Sequence, residues 1–160
     1  MEVPMKIFAA ETTLQAWNTP YAHYATNESD VLPLESNLQL SNHVDRYLSN
    51  LFLQIGIPAN QMGYRFLREA VRLVLQNPSL QHRLMRGLYP KIAEHFHTSV
   101  YCVEHSMRCA ITSAWNRGRP ELVEKLLGRG VMTAYDKPTN GELIALVAEN
   151  LRLLIHEQRL

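Results

Sequence analysis

Two closely spaced amphipathic segments lie in the middle of the chain, between Leu88 and Trp115. The first carries apolar residues at helical spacing, namely Ile92, Ala93 and Phe96. The second carries a longer apolar stripe, which consists of Val100, Val103, Met107, Ala110, Ile111 and Ala114. Between them, His97-Thr98-Ser99 interrupts the period, and a hydroxyl of Thr98 or Ser99 suits the N-cap of the second segment. The pattern predicts two helices joined by a tight turn, which is typical of a helix-turn-helix.

The same helical period occurs on the N-terminal side of this central motif. We predict a helix that starts at Ser41, is capped by Ser41 or Asn42, and is stopped by Gly56. A second helix should end at Asn77-Pro78, because the residue before a proline avoids the α region. Its predicted buried side consists of Tyr64, Leu67, Ala70, Val71, Val74 and Leu75.

One shorter helix is predicted on each side of the central motif. One covers about Leu80 to Arg86, after which Tyr89-Pro90 opens the first helix of the motif with proline in its first turn. The other covers Glu121 to Leu127, between a glycine stop and a glycine-containing polar loop. We expect Trp115, at the end of the motif, to lie in the core.

The last predicted helix begins after Lys137-Pro138-Thr139-Asn140. Thr139 or Asn140 is suited to cap it, and Glu142 supplies the acid of a capping box. Its predicted buried side consists of Leu143, Ile144, Leu146, Val147, Leu151 and Leu154. Because no strand pattern or internal repeat occurs, we predict an all-α bundle of about six helices over residues 41–160.

Residues 1–40 show no sustained period and are rich in turn formers, so we interpret them as a poorly structured N-terminal extension. The short apolar stretch from Lys6 to Ala10 suits a strand or a docking peptide. Trp17, Tyr21 and Tyr24 are suited to anchor the segment on a partner protein. The favoured interpretation is that these side chains cover an apolar patch of their own chain or are disordered.

Composition narrows the class of protein. Hydrophobic residues make up 46% of the chain, yet no apolar run reaches the roughly 18 residues that a membrane span needs. No secretory signal is evident at the N-terminus, and we expect a cytoplasmic protein that does not bind membranes. Cys102 and Cys109 lie seven residues apart on one predicted helix, too far apart for a mutual disulfide, so we expect reduced thiols.

Charge is unevenly distributed although the net charge is only +1. Residues 1–40 hold one basic and five acidic residues, whereas the remaining 120 residues hold 15 basic and 10 acidic residues. A moderately basic body is compatible with a nucleic-acid partner but is typical of many other proteins as well.

A series of short motifs, in order, resembles one known family. The motifs are Gln54-Ile55-Gly56-Ile57-Pro58-Ala59, Gly63-Tyr64 with Leu67-Arg68-Glu69-Ala70, Leu88-Tyr89-Pro90 with Ile92-Ala93, Val103-Glu104, Ala114-Trp115 with Arg117-Gly118, and Lys137-Pro138-Thr139-Asn140. They look like successive signatures of the C-terminal DNA-binding effector of the sporulation master regulator, stage zero sporulation protein A. The similarity covers about residues 41–155.

The resemblance implies a six-helix transcription factor domain of endospore-forming Firmicutes that binds TGTCGAA-like boxes in double-stranded DNA and contacts RNA polymerase. The family's usual protein carries a phosphoacceptor receiver domain ahead of the effector. Forty residues without that domain's strand pattern are too few to form one, so we do not expect phosphorylation of this chain to be the switch. Whether the domain forms a homodimer stays open.

We expect DNA to contact the side of the second helix opposite its apolar stripe, together with the segment before the last helix. The candidate residues are Ser99, Tyr101, Cys102, Glu104, His105, Arg108, Thr112, Lys137 and Thr139. Arg108 is the strongest candidate for a base or phosphate contact. Glu104 suits either a cytosine N4 contact or an intrahelical ion pair with Arg108. Lys137 and Thr139 suit phosphate contacts, although capping explains Thr139 equally well.

Three positions depart from the family pattern, in which arginines commonly replace Cys102 and His105 and a histidine replaces Cys109. Two guanidinium groups that would pair with guanine or phosphate are therefore missing. Either the DNA site differs, or the affinity is lower, or DNA is not the ligand. Three residues of types that can bind a metal lie on one face of this helix, namely Cys102, His105 and Cys109. No CxxC or HxxxH pair supports a metal site, so we favour the interpretation that they are ordinary surface side chains.

No nucleophile-base-orienter pattern and no glycine-rich phosphate loop is present, so we expect neither an enzyme nor a bound cofactor. The first hypothesis is a sequence-specific DNA-binding regulator. The second is a protein-interaction module that keeps the effector fold and binds another regulator through its N-terminal segment. DNA binding should weaken steeply as salt rises, whereas an apolar protein interface should not.

Overall fold

The computed structural model describes residues 34–117 and 137–157, with side chains from Leu38 onward. Both described ranges are predominantly helical, and neither contains a strand. The α-helices are α1 (Leu34–Gln54), α2 (Met62–Gln76), α3 (Tyr89–His95), α4 (Val100–Arg117) and α5 (Asn140–His156). The predicted all-α class is confirmed.

Helix α1 begins earlier than predicted. It starts at Leu34, so Ser41 and Asn42 lie inside the helix and the prediction that either of them caps it is wrong. The stretch from Leu34 to Leu40 contains no glycine or proline, and a capping hydroxyl does not stop a helix that the preceding residues can continue. The chain divides into two units after Leu38, and all packing described below lies within residues 39–157.

Gly56 ends α1 as predicted. Its φ of 90° is a left-handed conformation that glycine adopts without steric cost. The next amide, of Ile57, donates to the carbonyl of Phe52 at 2.8 Å, and the Gly56 amide donates to Leu53 at 3.2 Å. These two bonds satisfy carbonyls that would otherwise be left unpaired at the helix end.

The helix predicted over Leu80 to Arg86 is not a regular α-helix. A 3₁₀ helix spans Pro78–His82 and a π-helical turn spans Leu84–Leu88. The tight turn begins where the side chain of Asn77 accepts the amide of Ser79 at 3.1 Å. The wide turn follows because the Leu88 amide donates five residues back, to the carbonyl of Arg83 at 3.1 Å. The chain then enters α3 directly at Tyr89, with Pro90 in its first turn as predicted.

Helix α2 lies at the centre of the fold and packs against both α4 and α5. Its predicted buried side is confirmed except for Leu75, which is half-buried and packs against the core. Leu146 and Trp115 are likewise half-buried against it, and Leu154 is half-buried. The largest side chains with almost no exposed surface are Phe52, Phe66, Leu48, Ile57, Leu67, Leu88, Ile92, Met107, Ile144 and Leu151.

Several predictions fall on residues outside the described ranges. They concern the stretch Lys6 to Ala10, the aromatic residues Trp17, Tyr21 and Tyr24, and the helix from Glu121 to Leu127. Within the described ranges, no helix combines the length and the apolar character needed to cross a membrane.

Candidate nucleic-acid interface

The turn between α3 and α4 is closed by two backbone hydrogen bonds. The Thr98 amide donates to the carbonyl of Ala93 at 2.9 Å, and the His97 amide donates to Glu94 at 3.2 Å. This is the Schellman arrangement, in which the residue after the helix adopts a left-handed conformation. That residue is His97, with a φ of 51°, although glycine is the usual choice. The predicted pair of helices with a tight turn is therefore confirmed.

Ser99 is the N-cap of α4. Its hydroxyl oxygen accepts the Cys102 amide at 3.1 Å, which settles the choice between Thr98 and Ser99. One amide at the helix N-terminus, otherwise unpaired, is thereby satisfied. The Ser99 side chain is exposed and keeps its own O–H group as a donor.

The inner side of α4 is seated on α2 at very short range. A Cβ atom placed on Gly63 would lie 2.1 Å from the carbonyl oxygen of Ser106 and 2.7 Å from the Cβ of Ala110. The two helix backbones can approach this closely only because residue 63 has no side chain. This role of Gly63 was not predicted from the sequence, although a glycine within a strongly amphipathic helix is a signal of close packing.

The opposite side of α4, which we call the outer face, consists of Tyr101, Cys102, Glu104, His105, Arg108, Cys109 and Thr112. Tyr101 is 73% exposed, and its ring lies nearly parallel to that of His105 with centroids 5.9 Å apart. Arg108 forms an ion pair with Glu104 one turn earlier. The carboxylate raises the pKa of Arg108 above its ordinary value, so this guanidinium stays charged at any working pH.

A chain of hydrogen bonds connects the outer face to the segment before α5. The exposed ammonium of Lys137 donates to the Thr112 hydroxyl at 2.9 Å, and that hydroxyl donates to the carbonyl of Arg108 at 2.8 Å. Lys137 has three donors in all, and two of them have no partner among the residues that the structure describes. The structure thus brings together Thr112 and Lys137, two candidates that lie 25 residues apart in the chain.

Thr139 caps α5 in a complete capping box. Its hydroxyl accepts the Glu142 amide at 3.3 Å, while the Glu142 carboxylate accepts the Thr139 amide at 2.7 Å and the Thr139 hydroxyl at 2.9 Å. Both hydrogen bonds from Thr139 lower the pKa of Glu142, and the bond from the backbone amide has the larger effect. The hydroxyl of Thr139 is therefore engaged on both sides, as donor and as acceptor, within the cap.

Asn140 is a functional candidate that sequence analysis considered only as an alternative cap. It is 7% exposed and donates from Nδ2 to the carbonyl of Glu104 at 3.0 Å. A hydrogen bond from the same amide side chain acts to lower the pKa of Tyr89, although burial of that phenol has the larger effect and the net pKa is raised. One buried amide therefore links α3, α4 and α5. Only the tertiary structure shows these partners, because they lie 36 and 51 residues away along the chain.

Both cysteines lie on the outer face, are exposed and form no disulfide. Side-chain hydrogen bonds hold the pKa of Cys102 below its ordinary value, and the bond with Thr98 has a larger effect than the bond with Ser106. Cys109 faces a different neighbour, because its Sγ lies 3.5 Å from Nε2 of His105. Among the described residues, no group of three or more His, Cys, Asp or Glu side chains is arranged around a common point.

The structure therefore gathers the predicted candidates into one exposed region formed by α4 and the start of α5. Comparison with known protein families identifies a match over much of this chain. The sequence profile of a family described as "Sporulation initiation factor Spo0A C terminal" matches residues 48–151. The matched range begins within α1, includes all of α2, α3 and α4, and ends within α5.

Proposed function

This chain belongs to the family of sporulation initiation factor Spo0A C-terminal domains, and from that premise we propose that it is a sequence-specific DNA-binding regulator of transcription. The family is one of DNA-binding transcription factor domains and is not a family of enzymes. We infer that the outer face of α4 enters the major groove of double-stranded DNA, as the second helix of a helix-turn-helix does.

The observation that supports this proposal best is that the outer face of α4 is exposed while the opposite side of the same helix is closely packed. Three elements hold α4 in place: the close approach of α2 at Gly63, the buried amide of Asn140, and the Lys137–Thr112 hydrogen bond. A fixed helix with exposed side chains on one side is what base recognition requires, because each base contact depends on a defined geometry.

The proposed roles differ among the candidates. Arg108 contacts guanine or phosphate after exchanging its Glu104 partner, and Tyr101 and His105 contact base edges or sugars. Lys137 contacts phosphate with its two remaining donors, and Ser99 does so with its hydroxyl proton. Thr139 acts through the capping box, which orients the segment that carries Lys137.

The proposed target is a box related to TGTCGAA, altered where the family's arginines would contact it. Positions 102 and 105 offer a thiol and an imidazole in place of two guanidinium groups, so we expect weaker discrimination there. We also propose that the effector contacts RNA polymerase or another regulator. The 40 residues that precede the effector region lack the receiver pattern.

A second candidate function is a protein-interaction module on the same fold. The observation that favours it is the charge of the outer face, on which the one arginine is neutralised by Glu104. A face of this kind, with Tyr101 largely exposed, also suits a protein surface. The two functions differ in their dependence on salt, because phosphate contacts release counterions and a mostly apolar interface does not.

A duplex-binding titration with the full chain tests the proposal. The fluorescence anisotropy of a labelled TGTCGAA-type duplex is measured over a series of salt concentrations, with a scrambled duplex as the competitor. We expect Arg108→Ala to weaken cognate binding by roughly five- to 150-fold if Arg108 contacts a base. Arg108→Lys retains the charge but loses the bidentate fork, so it should recover phosphate binding but not base discrimination.

The matched control is Arg46→Ala, which removes an exposed arginine from α1 and leaves α4 intact. Wild-type binding that is insensitive to salt, or equal for cognate and scrambled duplexes, would contradict the DNA proposal. A converse test restores the family's arginines at the two positions where this chain differs from the family. The double variant Cys102→Arg/His105→Arg should bind the TGTCGAA-type duplex more tightly than wild type does. No gain in affinity would show that these positions do not face the box.

A further inference from the structure

Cys109 and His105 are neighbours on the outer face of α4, one helical turn apart. Residues four apart on a helix lie on the same side, so their side chains can approach each other. Sγ of Cys109 lies 3.5 Å from Nε2 of His105. Both side chains are exposed, so dissolved ions can reach these two atoms from solvent.

The separation matches what a tetrahedral zinc ion requires of two ligands. Zinc binds thiolate sulfur at about 2.3 Å and imidazole nitrogen at about 2.0–2.1 Å, and a tetrahedral angle between these bonds places sulfur and nitrogen about 3.5 Å apart. The two atoms already lie at that distance without any rearrangement of the backbone. The sequence pattern alone favoured ordinary surface side chains, and this distance is what changes the interpretation.

The neighbouring residues favour a fixed ligand pair. The Tyr101 ring lies parallel to the His105 ring, with 6° between the ring planes, and so restrains the orientation of the imidazole. The adjacent Arg108 is paired with Glu104, which offsets the repulsion that a free guanidinium would exert on a metal cation. Cys102, the other thiol of this face, is engaged instead with Thr98 and Ser106.

We propose that Cys109 and His105 form a two-ligand site for Zn²⁺ or a similar borderline-soft divalent cation, and that the metal and DNA compete for the outer face of α4. On binding, the ion replaces the proton of the Cys109 thiol, which is released to solvent, while the neutral imidazole binds through Nε2. Water completes the coordination, since the described residues bring no third protein ligand to this point.

The competition with DNA rests on the proposed function, whereas the metal site does not. A hydrated ion on Cys109 takes up the Nε2 atom of His105 and the space beside Arg108. Both would be needed for contacts with a base edge in the groove. Zinc availability would then set the fraction of the regulator that is able to bind its DNA site.

The metal site is tested first without DNA, using the full chain under reducing conditions. Co²⁺ serves as the probe, because a cobalt–thiolate bond gives a charge-transfer absorption in the near ultraviolet, and Zn²⁺ is then added to displace it. We expect the wild-type chain to show this absorption with one metal per chain. Cys109→Ser should abolish it, and His105→Phe, which keeps a ring beside Tyr101, should weaken metal binding at least tenfold.

Cys102→Ser is the matched control, because it removes the other exposed thiol from the same helix and leaves the ligand pair intact. We expect it to retain wild-type metal affinity, with helical circular dichroism unchanged in every variant. Absence of the charge-transfer band in wild type would overturn the proposal and leave a simple thiol–imidazole hydrogen bond. An equal loss in Cys102→Ser and Cys109→Ser would overturn the assigned ligands.

The competition is tested in a separate titration. Saturating Zn²⁺ should weaken wild-type binding to the TGTCGAA-type duplex at least threefold, a chelator should restore it, and Cys109→Ser should show no response to zinc. An equal response of both chains, or tighter wild-type binding with zinc, would overturn the competition. If no duplex binds under any condition, the proposed function fails while the cobalt titration still decides the metal site.

Discussion

The inner and outer faces of α4 differ in what surrounds them. On the inner face, Val103, Met107 and Ala110 have no exposed surface, and the α2 backbone lies against Ser106 and Ala110. On the outer face, Tyr101 is 73% exposed and the guanidinium of Arg108 pairs with Glu104. A substitution on the inner face must therefore move packed atoms, whereas one on the outer face changes exposed atoms and should leave the fold intact.

The largest effect is expected where the inner face meets α2. Gly63→Ala places a methyl group 2.1 Å from the Ser106 carbonyl, so α2 and α4 must separate. We expect a loss of about 3 kcal/mol or more in the free energy of unfolding, beyond the usual range for overpacking. Chemical denaturation followed by circular dichroism measures this loss.

Gly141→Ala is the control for Gly63→Ala. A methyl group at position 141 would meet only the tip of the Leu84 side chain, at 2.8 Å, and that tip can rotate away. We expect a change within about 1 kcal/mol in either direction, because helix propensity favours alanine. A comparable loss for both variants would show that the α2–α4 approach is not the special feature of position 63.

The next largest effect is expected at Asn140, which joins α5 to α4 through its hydrogen bond with the carbonyl of Glu104. Asn140→Ala leaves the Glu104 carbonyl without its buried donor, and we expect a loss of about 1–3 kcal/mol in stability. DNA affinity should fall as well at temperatures where the variant is folded, because Glu104 and Arg108 lie on the helix that Asn140 holds. Asn116→Ala, at an exposed position of α4, should change stability by no more than about 0.5 kcal/mol.

A smaller effect of opposite sign is expected at the turn that leads into α4. His97 adopts a left-handed conformation, which costs a residue with a Cβ atom about 1–2 kcal/mol, whereas glycine pays a smaller entropic cost. His97→Gly should therefore stabilise the domain by about 0.5–1 kcal/mol in thermal or chemical unfolding. A destabilised variant would show that the imidazole makes contacts that outweigh the backbone conformation.

The smallest effect is the pH dependence of the capping box beside the outer face. The pKa of Glu142 is lower in the folded chain than its ordinary value, because the carboxylate accepts the Thr139 amide and hydroxyl. The unfolded state therefore binds a proton more readily, so the stabilisation is present above the unfolded pKa and is lost as pH falls through the lower folded pKa. Unfolding curves of wild type and Glu142→Gln should converge in acid and differ slightly at neutral pH. A difference that persists unchanged in acid would contradict this assignment.

Much of the helical architecture follows from local pattern. The apolar stripes predicted on α2, α4 and α5 are largely the ones that the structure buries, and Gly56 and Thr139 act at helix ends as predicted. Local pattern failed where two local solutions compete. The capping preference of Ser41 did not outweigh the helix formers before it, and the segment after Asn77-Pro78 formed 3₁₀ and π turns in place of an α-helix.

The candidate site divides in the same way. Periodicity identified the exposed side of α4, and spacing of four identified the Glu104–Arg108 pair, because both depend only on the geometry of a single helix. The Lys137–Thr112 hydrogen bond and the Asn140 contact with Glu104 connect residues that are 25 and 36 positions apart. Those distances depend on how α5 packs beside α4, which no local pattern specifies.

The sequence by itself determined the helical class, the family and the side of α4 that is exposed, because each of these depends on the order of residues along the chain. Only the tertiary structure decided why residue 63 must be glycine, which helix Asn140 contacts, and that Cys109 Sγ and His105 Nε2 lie 3.5 Å apart. The physical reason is that close packing and hydrogen bonding act over a few ångströms in space. Which atoms come that close is settled when helices pack and side chains take their rotamers.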